Sequence, residues 1–108
     1  MRELAVAYLR EVYSPGAVMA ARDRLRDNQG EASKWAKEVQ RLRSLLEDLE
    51  GYLAEEPGTE LANVIARDAE ALYSSIEAAE AKLASARRKI RDVSRFLTQA
   101  ERAESFIR

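Results

Sequence analysis

From Ile65 onward an apolar residue returns at every seventh position: Ile65, Leu72, Ala79, Ala86, Val93 and Ala100. A second set keeps the same step between them, at Ala69, Ile76, Leu83, Ile90 and Leu97. Spacings of three and four sustained over five heptads make one apolar stripe along a long helix, with the period of a left-handed helix pair. The first half of the chain obeys the same rule, through Val18, Leu25, Ala32, Val39, Leu46 and Leu53, interleaved with Ala21, Asn28, Trp35, Leu42 and Leu49. Two matched stripes demand that two helices face each other.

What joins the stripes decides how they meet. Pro57 disfavours helix at Glu56 and lacks a donor, Gly58 frees the backbone to reverse, and Thr59 is a good N-cap for the next helix. So short a gap places the helices side by side and antiparallel. The reading is an all-α fold in one domain over residues 1–108: a coiled-coil-like helical hairpin with a first long helix over 16–55, a tip at 56–59 and a second long helix over 60–105. Ser14 and Pro15 are suited to start the first long helix as N-cap and first helical residue. The segment at 27–33 holds a weaker break, with Asn28 and Glu31 spaced like a capping pair and Gly30 lowering helix propensity. Because the heptad phase survives it, a helix that is continuous or kinked at 28–30 is preferred to two helices. Upstream, a short helix over 3–13 carries Leu4, Ala5, Tyr8, Leu9 and Val12 on one face, and is too short to stand undocked.

Composition excludes much chemistry. The chain has neither cysteine nor histidine, which removes disulfides, thiolate nucleophiles, Ser-His-Asp arrangements and the usual zinc and di-iron ligand sets. Its four glycines, at 16, 30, 51 and 58, form no phosphate-binding loop. No enzyme, metal site or cofactor is expected. No apolar run is long enough to cross a membrane, and the N-terminus lacks the apolar core of a signal peptide, so a cytoplasmic protein is the default expectation.

A two-helix hairpin buries one stripe per helix, seldom enough for a stable domain. Leu45 and Leu49 broaden the apolar face of the first arm, and Ala71, Ser74, Ala78, Ala81 and Ser85 make a strip of small residues beside the second seam. Leu45, Leu49, Ala71, Ala78 and Ala81 are therefore the candidate helix-packing surface, for a second copy completing a helical bundle or for a larger assembly. Trp35 is expected in the seam opposite Ala79, a large residue facing a small one, with a partner contact as the alternative. Asn28 is read as a helix end or as a register-setting polar residue.

Net charge is −1, but its distribution is uneven. Residues 44–80 carry ten acidic residues against one arginine, residues 20–43 seven basic against four acidic, and residues 87–108 seven basic against three. Folded at Pro57, the hairpin would have an acidic tip and a basic base. Its arms would be roughly 58 Å long, several times a Debye length of about 8 Å. Arg87, Arg88, Lys89, Arg91 and Arg95 are the candidate electrostatic surface. Three uses follow: local pairing on solvated faces, assembly of acidic tip on basic base, or nucleic acid or an acidic protein bound at the base.

In size and layout the chain resembles the WXG100 family of secreted helical hairpins, which carry Trp-x-Gly at the turn and Tyr-x-x-x-Asp/Glu after the second helix. Here the turn is Pro57-Gly58-Thr59, Trp35 is followed by Ala36 and Lys37, and Tyr73 to Glu77 meets the second pattern only mid-helix. The resemblance is one of layout, and a secreted hairpin protein is the lesser alternative it implies. The function expected from the residues is a non-enzymatic interaction or assembly subunit. Its runner-up is a small subunit or inhibitor of a nucleic-acid-binding complex.

Overall fold

The computed structural model describes all 108 residues and contains three α-helices and no strand: α1 (Arg2–Val12), α2 (Pro15–Glu55) and α3 (Glu60–Ile107). The all-α hairpin read from the heptads is the fold observed. Local chemistry sets the helix ends as the residues require. Ser14 Oγ accepts the Ala17 N–H at 3.2 Å and Thr59 Oγ1 accepts the Ala62 N–H at 3.0 Å, so both long helices begin on side-chain caps. Gly58 supplies the single positive φ, +83°, at the reversal. α2 passes through Asn28–Gly30 without interruption, and Leu25, Asn28, Ala32 and Trp35 are all half-buried there. Burial of the stripe outweighs one helical glycine, whose cost is about 1 kcal/mol.

Two glycine substitutions should therefore move stability in opposite directions. A Cβ added at Gly30 or at Gly58 meets nothing within 4 Å, so packing enters neither case. Gly30→Ala should raise stability by about 0.5–1 kcal/mol through helix propensity, and Gly58→Ala should lower it by about 1–2 kcal/mol through its left-handed backbone. Urea denaturation of the two variants reads both signs.

The chain packs as two compact units, Met1–Gly30 with Ala86–Arg108 (unit 1), and Glu31–Ser85 (unit 2). Unit 2 holds the aliphatic core: Val39, Leu42, Leu46, Ala69, Ile76 and Ala79 are buried in one cluster, with Trp35 and Leu72 packed against it. Its helices run antiparallel, because Arg43 pairs with Glu80 and Glu50 with Tyr73: seven residues forward on α2 match seven back on α3. Unit 1 is built differently. Its buried residues are four alanines, Ala21, Ala86, Ala100 and Ala103, ringed by half-buried Val18, Leu25, Ile90, Val93 and Leu97.

The face expected to dock α1 is corrected by the structure. Leu4 and Tyr8 remain 75% and 63% exposed and Ala5 is exposed, whereas Val6, Leu9, Val12 and Tyr13 are half-buried. α1 carries two apolar ridges, and its partners select between them. Tyr13 sits against Phe96 with ring centroids 5.2 Å apart, and its hydroxyl donates to Gln99 Oε1 at 3.4 Å. At the other end Arg2 donates to the Phe106 carbonyl at 3.3 Å, with its guanidinium 5.5 Å from the Phe106 ring centroid. These two anchors hold the ridge through Val6 and Leu9 inward and leave Leu4 and Tyr8 outside.

Candidate interaction surfaces

In unit 2 the two sides of the seam differ. One side is closed by polar bridges between the helices, Arg43 with Glu80 and Tyr73 with Glu50. The hydrogen bond to Glu50 raises the Tyr73 phenol above its ordinary pKa, with the nearby carboxylate charge acting in the same direction. The opposite side is open: a cleft of about 310 Å³ lies among Trp35, Glu38, Arg41, Ser75, Ala78 and Lys82. No ion pair or hydrogen bond crosses it, and the Lys82 ammonium of α3 lies over the Trp35 ring of α2. Glu38 instead pairs within its own helix to Arg41 at 2.6 Å, and that hydrogen bond holds its carboxyl below the usual range.

The candidate packing residues distribute over these sides by helix geometry. Leu45 follows Arg41 by one turn and is 42% exposed, Leu49 one turn further on is half-buried, and Ala71 and Ala78 are exposed. These four share the open side. Ala81 does not: it is exposed on the outer back of α3, three residues past Ala78. Leu61 and Val64, 54% and 51% exposed, extend the apolar character of α3 in unit 2 and were not among the candidates. Val64 stands seven residues before Ala71, and that spacing was the signal for it.

Trp35 occupies the position its seam register requires. It is half-buried against the cluster that contains Ala79, and its ring lies 4.3 Å from Lys82 Nζ and 5.2 Å from Lys34 Nζ. Its indole N–H donates to Glu31 Oε2 at 3.1 Å, so Glu31 serves the tryptophan and caps no helix.

The five candidate basic residues, Arg87, Arg88, Lys89, Arg91 and Arg95, are all exposed, but they do not form one patch. Arg88, Arg91 and Arg95 follow each other at three and four residues along the outer face of α3, whereas Arg87 and Lys89 turn to opposite sides of it. The outer row runs on to Arg102, seven residues after Arg95, a member that the seven-residue step discloses.

Charge separates between the units. Unit 1 holds twelve basic residues against seven acidic, and unit 2 six against twelve. Local pairing accounts for little of this. The chain contains three ion pairs, Arg41–Glu38, Arg43–Glu80 and Arg108–Glu104. Arg108 is thus the one basic residue of unit 1 held in an ion pair, and the outer arginine row of α3 has none.

Unit 1 also bears an open cleft of about 630 Å³ floored by Val18, Ala100, Ala103 and Ile107 and rimmed by Arg10, Arg22 and Glu104. No helix of the chain is long and apolar enough to cross a membrane. Comparison with protein families, with curated proteins and with solved structures finds no match.

Proposed function

We propose that the chain is a cytoplasmic, non-enzymatic assembly subunit that buries exposed helix surface against copies of itself or within a larger complex. One observation carries this reading. A compact monomer of this mass would expose about 6,100 Å², whereas the chain exposes 8199 Å². The surplus of about 2,100 Å² exceeds the roughly 800 Å² per partner that a standard interface removes. Thin internal packing agrees with it: no large side chain is fully buried, and seven of the eleven core residues are alanines. Alanine lets helices approach closely but removes little apolar area from water, so association has stability to add.

Solution mass by light scattering tests the reading across ~50 to ~500 mM salt. A defined oligomer is expected. Persistence at high salt assigns the interface to the apolar side of unit 2, and dissociation assigns it to the charged faces. A monomer at every salt and concentration overturns self-assembly.

A second reading rests on the unpaired arginine row of α3, a surface suited to a polyanion such as nucleic acid. Titration of a labelled duplex at ~50 mM salt separates the two: the second reading requires binding that weakens steeply with salt, and the first requires none.

A further inference from the structure

Unit 1, taken by itself, leaves an apolar groove unfilled. The cleft of about 630 Å³ is lined by α2 at positions 15, 18, 19 and 22 and by α3 at 100, 101, 103, 104 and 107. Each helix thus offers it a two-turn stripe with helical spacing. Val18, Ala100, Ala103 and Ile107 are its buried or half-buried floor, and Met19 projects at its edge, 67% exposed. The short helix of the chain does not fill it. α1 borders the cleft with Arg10 and Tyr13, and Tyr13 is held by Phe96 and Gln99. Four charged side chains line the cleft and sort by helix: Arg10 from α1 and Arg22 from α2, against Glu101 and Glu104 from α3. Glu104 pairs with Arg108 at 2.7 Å, and the other three are in no ion pair.

We propose that this groove takes an amphipathic helix of a partner protein, acidic along one flank of its apolar face and basic along the other. A groove between two helices that is two turns, or about 10 Å, long fits the apolar anchors of a docked helix at i, i+3 or i+4, and i+7. Alanine in the floor lets a further helix axis come close, and the unbranched Met19 adapts to what is laid beside it. The charges fix the flanks. An acidic flank answers Arg22 with Arg10, and a basic flank answers Glu101, whereas Glu104 already has Arg108. A small organic anion would use the arginines alone and would face Glu101 across the same opening. Opposite signs on the two walls also choose a direction. Turning a docked helix end for end exchanges its flanks, so one direction matches the charges and the other opposes like to like.

This inference stands on unit 1 alone and rests on the assembly reading in its larger-complex form. The probes are labelled helical peptides of about five turns with leucine at the anchor positions. One carries glutamate on one flank and lysine on the other, a second has these flanks exchanged, and two more carry glutamate on both or lysine on both. Fluorescence anisotropy at ~50 mM salt should show both mixed peptides binding roughly fivefold tighter than either single-sign peptide. Arg22→Glu, at an exposed site that leaves the fold intact, should pass the preference to the lysine peptide. A nitroxide at the N-terminus of each mixed peptide reads direction. It should broaden amides near Gly16 with one peptide and near Arg22 with the other. Equal affinity for all four peptides, or one direction for both mixed peptides, would overturn the charged walls. Failure of every peptide to bind, beside a defined oligomer in light scattering, would overturn the groove and leave assembly through another face standing. A peptide that binds only by dissolving that oligomer would give the groove to a second copy and overturn a foreign partner. A monomer that binds the mixed peptides would support the groove while self-assembly failed.

Discussion

Replacing Ile76 by alanine should cost about 2–4 kcal/mol, one of the two largest losses expected from a single substitution in this chain. Ile76 is 8% exposed and belongs to the cluster formed with Val39, Leu42, Leu46, Ala69 and Ala79. Four aliphatic side chains larger than alanine are buried in the protein, and Ile76 is the one that α3 contributes. Its truncation leaves a void that Ala69 and Ala79 are too short to fill, so the loss includes the cavity as well as the transfer of three carbons. Trp35, the only tryptophan, packs on the same cluster and reports its opening by fluorescence. Urea titration at one fixed protein concentration is the measurement, since any association would otherwise shift the midpoint. Ile90→Ala, at a half-buried site in unit 1, should cost less. A loss below about 1 kcal/mol at Ile76 would mean that the aliphatic cluster is not the main source of cohesion.

The hairpin was legible because two independent kinds of sequence information agree on it. Pro57, Gly58 and Thr59 act locally, through a missing donor, a left-handed backbone and a cap. The heptads act at long range, and every one of their positions from Val18 to Ala100 is buried or half-buried. Legibility ends where a choice depends on a partner helix. α1 carries two apolar ridges of similar strength, and only the positions of Phe96 and Phe106 decide which one docks. The asymmetry of unit 2 was hidden for the same reason. Arg43 and Glu80 are 37 residues apart, and their meeting depends on a register that the heptads narrow but do not complete. The charges show a third limit: composition locates acidic and basic segments, but not whether they neutralise each other. In the structure they largely do not, and that turns a solvated surface into a candidate for recognition.

Ala21→Asp should be as damaging as the loss of Ile76, for a different physical reason. Ala21 is 0% exposed and is one of the four alanines that form the whole buried core of unit 1. A carboxylate there loses its hydration, and no buried polar or charged group exists in the chain to accept it. Strand-like escape is closed to it, because the site lies inside α2, seven residues into a helix of 41. The expected cost is about 3–5 kcal/mol, the range for an unpaired buried charge. Ala21→Asn separates charge from size. It has nearly the same volume and the same weak helix propensity, yet carries no charge to desolvate, so it should lose about half as much. Circular dichroism with urea titration gives both values, and amide exchange in α1 should accelerate in parallel, since α1 docks on unit 1 alone. Equal losses for Asp and Asn would show that the site is merely tight. Negligible losses for both would show that unit 1 is open at Ala21 and that α1 is held by its Tyr13–Phe96 and Arg2–Phe106 anchors alone.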